Sequence, residues 1–278
     1  MFLSDKKNNF DYTRKLGKAY EEMKNAHNHS FYEFYYLLSG TRKFFINDTI
    51  YTVKRGDLII IPKGAIHRTT YICDETHERI IMKFNDDYIS NICAQVGKDT
   101  IERFLSCTKQ ITIPPNKRDA IEALLDKIEN EHNGIDSLSP TMLKVFFEEF
   151  LLSVMRCQNS SEMLVSEDKI CDDVISEAAK FISTHYDQQI TLNQVADKFN
   201  MSPSYFSRKF KLCTGFGYKE YLITIRILES CTLLSTTNMP ITEIAAKCGF
   251  EDSNYFGDSF KKINGISPRE YRKNKMQK

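Results

Sequence analysis

The chain contains a degenerate internal repeat. Its first copy is Leu192–Phe210, LNQVADKFNMSPSYFSRKF, and its second is Ile241–Phe260, ITEIAAKCGFEDSNYFGDSF. The copies align at an offset of 49 residues before the central turn and of 50 after it, so the second turn is one residue longer. Each copy predicts a short helix, a tight turn and a second helix that stops at a glycine, Gly215 or Gly265. This succession is a helix-turn-helix arrangement, whose second helix can lie in the major groove of DNA.

A long helical segment, YKEYLITIRILESCTLLSTT at residues 218–237, joins the two copies. If this helix is rigid, it holds two recognition helices at a fixed separation, suited to successive major grooves of double-stranded DNA roughly 34 Å apart. The alternative is a helical-repeat scaffold, but two copies with polar second helices would make a poor solenoid. The sequence therefore predicts DNA-binding units at about residues 191–212 and 240–262.

The charge balance agrees with a DNA-binding C-terminal part. The chain has 38 basic and 37 acidic residues, but from Met201 onward the balance is 13 against 7. The net charge of +1 thus conceals a basic excess, which double-stranded DNA attracts. The sequence contains no apolar run of membrane-spanning length, and its start, MFLSDKKNNF, lacks the apolar core of a signal peptide. We therefore expect a cytoplasmic protein without a membrane partner.

A dense, ordered set of residues marks the segment from about Ile170 to Arg272: Arg226, Leu233, Leu234, Ile241, Ile244, Ala245, Gly249, Phe250, Tyr255, Phe256, Phe260, Lys261, Lys262, Gly265, Ser267, Pro268, Tyr271 and Arg272. In these residues the segment resembles the DNA-binding domain of the AraC/XylS family of bacterial transcription regulators. The resemblance implies seven helices with two helix-turn-helix units. It also implies a regulator that acts at promoters with RNA polymerase, more often as an activator than as a repressor.

Arg208 is the strongest candidate for a base contact, because its planar guanidinium can pair with guanine O6 and N7 at about 1–3 kcal/mol of discrimination. Burial of the aromatic residues of the same helix is predicted to turn it outward. The residues predicted to be buried are Tyr205, Phe206 and Phe210. The predicted base contacts are Ser204, Ser207 and Arg208, and the predicted phosphate contacts are Lys209 and Lys211.

The second unit presents different side chains at the matching positions. Asn254, Gly257 and Asp258 stand where the first unit has two serines and Arg208. Asp258 could accept from cytosine N4, but we expect its repulsion from phosphates to dominate. The first unit is therefore predicted to supply most base recognition. The second is predicted to hold the DNA backbone through Lys261, Lys262, Arg269 and Arg272.

The N-terminal part predicts an antiparallel β structure followed by two helices. Four runs rich in Ile, Phe, Tyr and Val lie within residues 33–85, with Asn47-Asp48 as a hairpin turn. The first helix has an apolar stripe at Ile121, Leu124, Leu125 and Ile128. The second begins after Ser139-Pro140 and has a wider stripe at Leu143, Phe146, Phe147, Phe150, Leu151 and Val154. That wider stripe leaves two alternatives open, a homodimer interface and an intramolecular core.

Two motifs carry the chemistry of this part: H-x-H-x3-E-x6-G ending at Gly40 and G-x5-P-x-G-x2-H beginning at Gly56. Both resemble the signature motifs of the cupin β-barrel. The implied candidates are His27, His29, Glu33 and His67, with Tyr35 added as a lining residue. Three interpretations stay open: ligands of a divalent metal, polar contacts to a small-molecule effector such as a sugar, or histidines without a ligand.

The predicted fold is two-domain α+β. The boundaries are residues 1–95 for a cupin-like effector-binding barrel, 96–158 for a helical hairpin and candidate dimerisation region, 159–169 for a linker and 170–278 for an all-α double helix-turn-helix domain. The predicted function is a DNA-binding transcription regulator, an activator that responds to an effector in the barrel. The alternative is a metal-dependent cupin enzyme fused to a DNA-binding module. Because no nucleophile stands at a recognisable spacing from a base, we predict no catalytic residue and no cofactor apart from the metal alternative.

Overall fold

The computed structural model describes residues 9–18, 29–71, 76–107, 109–158 and 170–276. The chain divides into two compact units, an N-terminal unit of Met1–Ile46 with Tyr51–Glu167 and a C-terminal unit of Asn47–Ile50 with Asp168–Lys278. The predicted linker at residues 159–169 and the ligand candidate His27 lie outside the described residues. Antiparallel sheets precede a helical region, residues 170–276, which confirms the coarse α+β prediction.

The described strands are β1 (Phe10–Gly17), β2 (Tyr32–Ser39), β3 (Thr41–Ile46), β4 (Thr49–Lys54), β5 (Asp57–Ile61), β6 (His67–Tyr71), β7 (His77–Phe84) and β8 (Gln110–Thr112). They form one sheet of five and one of three, in the orders β1-β7-β2-β5-β8 and β4-β3-β6. The pairs with a defined register, such as β2 with β5 and β3 with β6, are antiparallel.

The central strands β2 and β5 of the five-stranded sheet are buried on both faces. Side chains alternate along a strand, so Tyr35 of β2 points into an apolar cluster that it shares with Phe44 of β3 in the other sheet. Phe34 and Tyr36 point the other way, into a core shared with the helices. Burial on both faces explains why β2 and β5 are nearly continuous apolar runs rather than alternating patterns.

The predicted barrel is confirmed only in its antiparallel character. The described strands form two sheets and not one closed barrel, so the cupin-like closure stays a prediction. The predicted hairpin turn is present, because Asn47 adopts the left-handed conformation between β3 and β4. The sequence patterns did not identify β1, β6 or β8. All three are edge strands, and β8 has only three residues.

Four helices cover the outer face of the larger sheet: α1 (Ser90–Val96), α2 (Lys98–Cys107), α3 (Pro115–His132) and α4 (Ser139–Gln158). Helix α3 begins with a proline, which suits a first helical position. Its buried residues are the four predicted from the apolar stripe: Ile121, Leu124, Leu125 and Ile128.

The wide stripe of α4 belongs to the core of its own unit. Phe147 is fully buried, and its ring centroid lies 4.9 Å from that of Phe84 in β7 and 5.3 Å from that of Phe10 in β1. Phe150, Leu151 and Val154 are fully buried with it. Of the two alternatives for this stripe, the structure therefore has the intramolecular core.

The helical region contains the seven helices implied by the family resemblance: α5 (Ile170–Thr184), α6 (Leu192–Lys198), α7 (Pro203–Thr214), α8 (Tyr218–Thr236), α9 (Ile241–Lys247), α10 (Ser253–Asn264) and α11 (Pro268–Met276). The repeat covers three helix pairs, because α6, α7 and α8 correspond to α9, α10 and α11. Among the described helices, none combines the length and the apolar character needed to cross a membrane.

Candidate functional site

The two turns of the repeat have the same backbone geometry. Asn200 and Gly249, which match at the offset of 49, are both left-handed, with φ of 54° and 83°. The N–H of the following residue donates to the carbonyl oxygen of Ala196 at 2.9 Å in the first unit and of Ala245 at 3.0 Å in the second. This hydrogen bond closes the first helix of each unit in the manner of a Schellman motif. Both predicted helix-turn-helix units are therefore present.

The second helix of each unit, α7 or α10, is fixed at both ends by matched residues. Ser202 and Asp252 cap the N-termini, and each side chain accepts from a backbone N–H of the first turn, at 3.3 and 2.6 Å. Gly215 and Gly265 end the helices in the left-handed conformation, with φ of 78° and 77°. Local sequence thus sets the length of each recognition helix.

Helix α7 presents the predicted polar face. Phe206 and Phe210, four residues apart, are fully buried, and Arg208 lies between them on the exposed side. The other predicted contacts are exposed (Ser204 and Lys211) or partly exposed (Ser207 and Lys209).

The predicted burial of Tyr205 is wrong. Its side chain is 48% exposed, and the matching Tyr255 is 44% exposed. Tyr205 lies next to Phe206 in sequence, so it falls about 100° around the helix from the buried side. The ammonium of Lys209 lies 5.5 Å from its ring centroid. The two tyrosines occupy matched positions beside the predicted base contacts of the two helices. This repetition in the sequence could have identified them as candidate DNA contacts.

Helix α10 presents a sparser and more acidic face. Asn254 and Asp258 are exposed, and a Cβ added to Gly257 would meet no atom within 4 Å. The predicted phosphate contacts Lys261, Lys262 and Arg269 are exposed. Arg272 differs from them, since its Nη2 donates to the carbonyl oxygen of Met239 at 2.6 Å.

A buried arginine connects the two helix-turn-helix units. Arg226 in α8 is 8% exposed and donates to the carbonyl oxygens of Tyr186 at 2.7 Å and Gln188 at 2.8 Å. The same loop, between α5 and α6, contacts the turn of the second unit, because the Gln189 amide donates to the carbonyl oxygen of Gly249 at 3.0 Å. The start of the first unit is thus joined directly to the turn of the second.

The N-terminal unit has a second candidate site, a cluster of His29, Glu33 and His67. One ligand atom from each of the three residues lies within 4.8 Å of the others. The distance from His29 Nε2 to Glu33 Oε2 is 3.2 Å, and these side chains are only 7% and 3% exposed. His67 is fully buried, and its ring centroid lies 4.9 Å from that of His29. The structure therefore brings together three of the four predicted ligand candidates.

The charges of this cluster depend on its histidines. The Nδ1 atoms of His29 and His67 lie 2.9 and 3.1 Å from the carbonyl oxygens of Phe31 and Ala65. Burial alone would raise the pKa of the Glu33 carboxyl, but the hydrogen bond with His29 and the charge of His67 hold that pKa below its ordinary value. The carboxylate is therefore ionised although it is buried.

Tyr35, the remaining effector candidate, lies on the same face of β2 as Glu33. It is almost fully buried, and its ring meets that of Phe44 edge to face, with centroids 4.5 Å apart. Tyr35 therefore contributes to the apolar packing between the sheets.

Comparisons with known proteins match both units. Residues 195–274 match the family described as helix-turn-helix domain, and residues 33–166 match the family described as ExsA N-terminal regulatory domain. The HTH-type transcriptional activator RhaR of Salmonella arizonae is 25% identical over 253 residues, 88% of this chain and 86% of that protein.

The solved structures similar to this chain include the following two. An apo ToxT variant from Vibrio cholerae is 16% identical with a TM-score of 0.42, over 95% of this chain and 97% of that one. The C-terminal domain of AraT, a response regulator from Geobacillus stearothermophilus, is 37% identical with a TM-score of 0.36, over 36% of this chain and 84% of that one.

Proposed function

The chain belongs to the AraC/XylS family of transcription regulators, and from that membership we propose that it activates promoters in response to a small-molecule effector. The observation that carries the DNA-binding part is the matched pair of recognition helices, each with the same turn, cap and glycine stop. Activation has the support of the RhaR relatives, which are described as transcriptional activators. RNA polymerase is the expected partner at the promoter.

The family consists of DNA-binding transcription regulators and not of enzymes. Family membership therefore argues against the alternative hypothesis of a metal-dependent cupin enzyme. The N-terminal unit is instead the part that receives the effector, consistent with its match to a regulatory domain. The candidate contacts are His29, Glu33 and His67, with Tyr35 behind them and His27 outside the described residues. A sugar, the effector suggested by the sequence analysis, is one class of ligand proposed for this site.

The two recognition helices divide the contacts to DNA. Helix α7 supplies base recognition through Ser204, Ser207 and Arg208, with Lys209 and Lys211 on phosphates. Helix α10 and its surroundings hold the backbone through Lys261, Lys262 and Arg269. Arg272 contributes less there, because its guanidinium is already engaged by a carbonyl oxygen.

We also propose that the protein forms a homodimer. The proposed interface is a face of α4 other than the apolar stripe considered in the sequence analysis. Met142, Val145 and Leu152 of α4 have exposed side chains at spacings of three and seven residues, which is typical of a helix that pairs with another, and Leu138 in the turn just before the helix is exposed as well. Sedimentation of Val145→Asp tests this face, with Lys144→Asp as the neighbouring control. A dimer in both variants would remove the face from the proposal.

In vitro transcription tests the function as a whole. Promoters that the protein selects from fragmented genomic DNA are transcribed by purified RNA polymerase with and without the full-length protein. We expect more transcript from selected promoters than from unselected ones. Selection of no fragment above background, or equal transcript with and without the protein, would contradict the proposal.

A further inference from the structure

Two exposed tyrosines stand at matched positions of the recognition helices. Tyr205 is the third residue of α7 and Tyr255 the third residue of α10, so each follows its N-cap by three positions. Their side chains are 48% and 44% exposed, although an aromatic ring has much apolar area to gain from burial. Phe206 and Phe256, their neighbours in sequence, are buried. Recurrence of the same exposed ring in both units indicates a common role.

The exposed positions of the two helices fall into two groups. Where α7 is predicted to contact bases, α10 has different side chains: Asn254, Gly257 and Asp258 replace Ser204, Ser207 and Arg208. The tyrosines are identical, as are Lys211 and Lys261, which are predicted phosphate contacts. Base sequence varies along an operator, whereas the phosphate backbone carries no sequence information. Identical side chains in two recognition helices therefore suit the backbone, and different side chains suit bases.

The position of Tyr205 around α7 agrees with a contact to the backbone. At about 100° per residue it lies about 60° from Arg208, on the flank between the base-contacting side and the buried side. The same spacing separates Tyr255 from Asp258 in α10. A helix that lies in the major groove points one side at the bases and turns its flanks to the phosphates on either border of the groove.

Both rings are held against their own unit. The Lys209 ammonium lies 5.5 Å from the ring centroid of Tyr205, a cation–π contact. The ring of Tyr255 lies 6.2 Å from that of Phe250 in the turn of the second unit. Among the described residues, no hydrogen bond engages either tyrosine hydroxyl. Each hydroxyl can therefore donate to an acceptor on DNA, and a ring already held in place loses little freedom on binding.

We infer that the hydroxyl groups of Tyr205 and Tyr255 donate hydrogen bonds to phosphate oxygens of DNA, one in each of two contact regions, and so fix the register of the two recognition helices. Tyrosine is among the side chains that contact phosphates in protein–DNA complexes. The inference rests on the proposed function, because it specifies how the same helices contact promoter DNA. It gives α10, which has no counterpart of Arg208, a contact that α7 has as well.

Binding of the full-length protein to selected promoter DNA is compared in Tyr205→Phe and Tyr255→Phe. Each variant loses a hydroxyl and keeps its ring, so each should bind roughly 10-fold more weakly. The loss should be the same for operator variants with altered bases, because a phosphate carries no sequence information. The slope of log affinity against log salt should not change, since a neutral phenol releases no counterion. Lys211→Gln, by contrast, should lower that slope by about 1.

Operators with a methylphosphonate at a single position locate each contact, because this group removes the charge of one phosphate. Among the positions that weaken binding of the wild-type protein, Tyr205→Phe should lose its sensitivity at one. Tyr255→Phe should lose its sensitivity at another, about one helical turn of 10–10.5 base pairs away. A merely structural defect would weaken binding without changing which phosphates matter.

Tyr88→Phe is the matched control. Tyr88 belongs to the N-terminal unit, where its ring stacks on that of Phe10 with centroids 4.7 Å apart. This variant should bind as the wild-type protein does. Equal affinity of the wild-type protein and both recognition-helix variants, a loss that depends on base sequence, or unchanged sensitivity to every methylphosphonate would overturn the inference alone. Wild-type protein that selects no DNA would contradict the proposed function itself, and the inference with it.

Discussion

Arg208 and Asp258 occupy the same position of the two recognition helices and carry opposite charges. Replacing Arg208 with alanine removes a guanidinium that can pair with guanine, so we expect a loss of about 1–3 kcal/mol and relaxed specificity at one base pair. Replacing Asp258 with alanine removes a repulsive charge and should leave affinity equal or higher. Binding is measured by titration against a panel of operator variants.

Arg269→Ala is the control for a phosphate contact. It should weaken binding to all operator variants alike and lower the slope of log affinity against log salt by about 1. Equal losses of specificity in Arg208→Ala and Asp258→Ala would contradict the division of labour between the helices.

Two glycines give opposite predictions for the same substitution. At Gly257, in the middle of α10, an added Cβ meets nothing, so Gly257→Ala should stabilise the fold by about 0.5–1 kcal/mol. At Gly249 the backbone is left-handed and an added Cβ would lie 2.7 Å from the Tyr186 carbonyl oxygen, so Gly249→Ala should destabilise by more than about 1 kcal/mol. Urea unfolding of both variants measures the two effects, and a change of the same sign would contradict them.

Single residues were predicted well where a short-range pattern decides their place. Phe206 and Phe210 are buried as their spacing requires, whereas Tyr205 at the border of the same stripe is exposed. The cupin-like motifs predicted His29, Glu33 and His67 as candidate site residues, and the structure brings these three together. The spacing of residues could not show that Tyr35 packs in the apolar core. Long-range packing decides that question.

At the scale of elements, α8 and Arg226 determine how the two helix-turn-helix units are held. Helix α8 has 19 residues, which corresponds to about 28 Å. Arg226 of this helix holds the loop before α6 in place, because its guanidinium donates hydrogen bonds to two backbone carbonyl oxygens of that loop. The same loop reaches the turn at Gly249.

Arg226→Lys should therefore loosen the spacing between the units. Lysine keeps the charge but lacks the planar fork that contacts two carbonyl oxygens at once. We expect the wild-type protein to lose binding when one base pair is inserted between its two contact regions, and the variant to discriminate less between the two spacings. Lys219→Arg, at an exposed position of the same helix, is the control. Unchanged spacing preference in Arg226→Lys would contradict this role.

The helix-turn-helix elements were predictable because their signals are local: caps, glycine stops and an aromatic spacing repeated twice. Strands β1 and β8 were not, because an edge strand with exposed polar residues has no distinct pattern. The role of the α4 stripe was left open for a related reason. Apolar periodicity identifies a buried face but not what covers it.

At the scale of the whole chain, the near-neutral charge is a sum over two unlike parts. The basic excess after Met201 is modest, 13 against 7, so few phosphates can be neutralised. Specific binding then depends on two recognition helices held in register as well as on charge. The existence of two parts and the DNA-binding character of the second followed from the sequence, whereas the arrangement of the strands in two sheets did not.

Hydroxyl-radical footprinting of the full-length protein on a selected promoter tests the central claim most directly. If both helix-turn-helix units of one chain contact DNA, two protected regions should appear on one face, centred about one helical turn of 10–10.5 base pairs apart. Substitution of Arg208 should weaken one region more than the other. A single protected region, with the same extent in proteins altered at Arg208 and at Lys262, would contradict the claim.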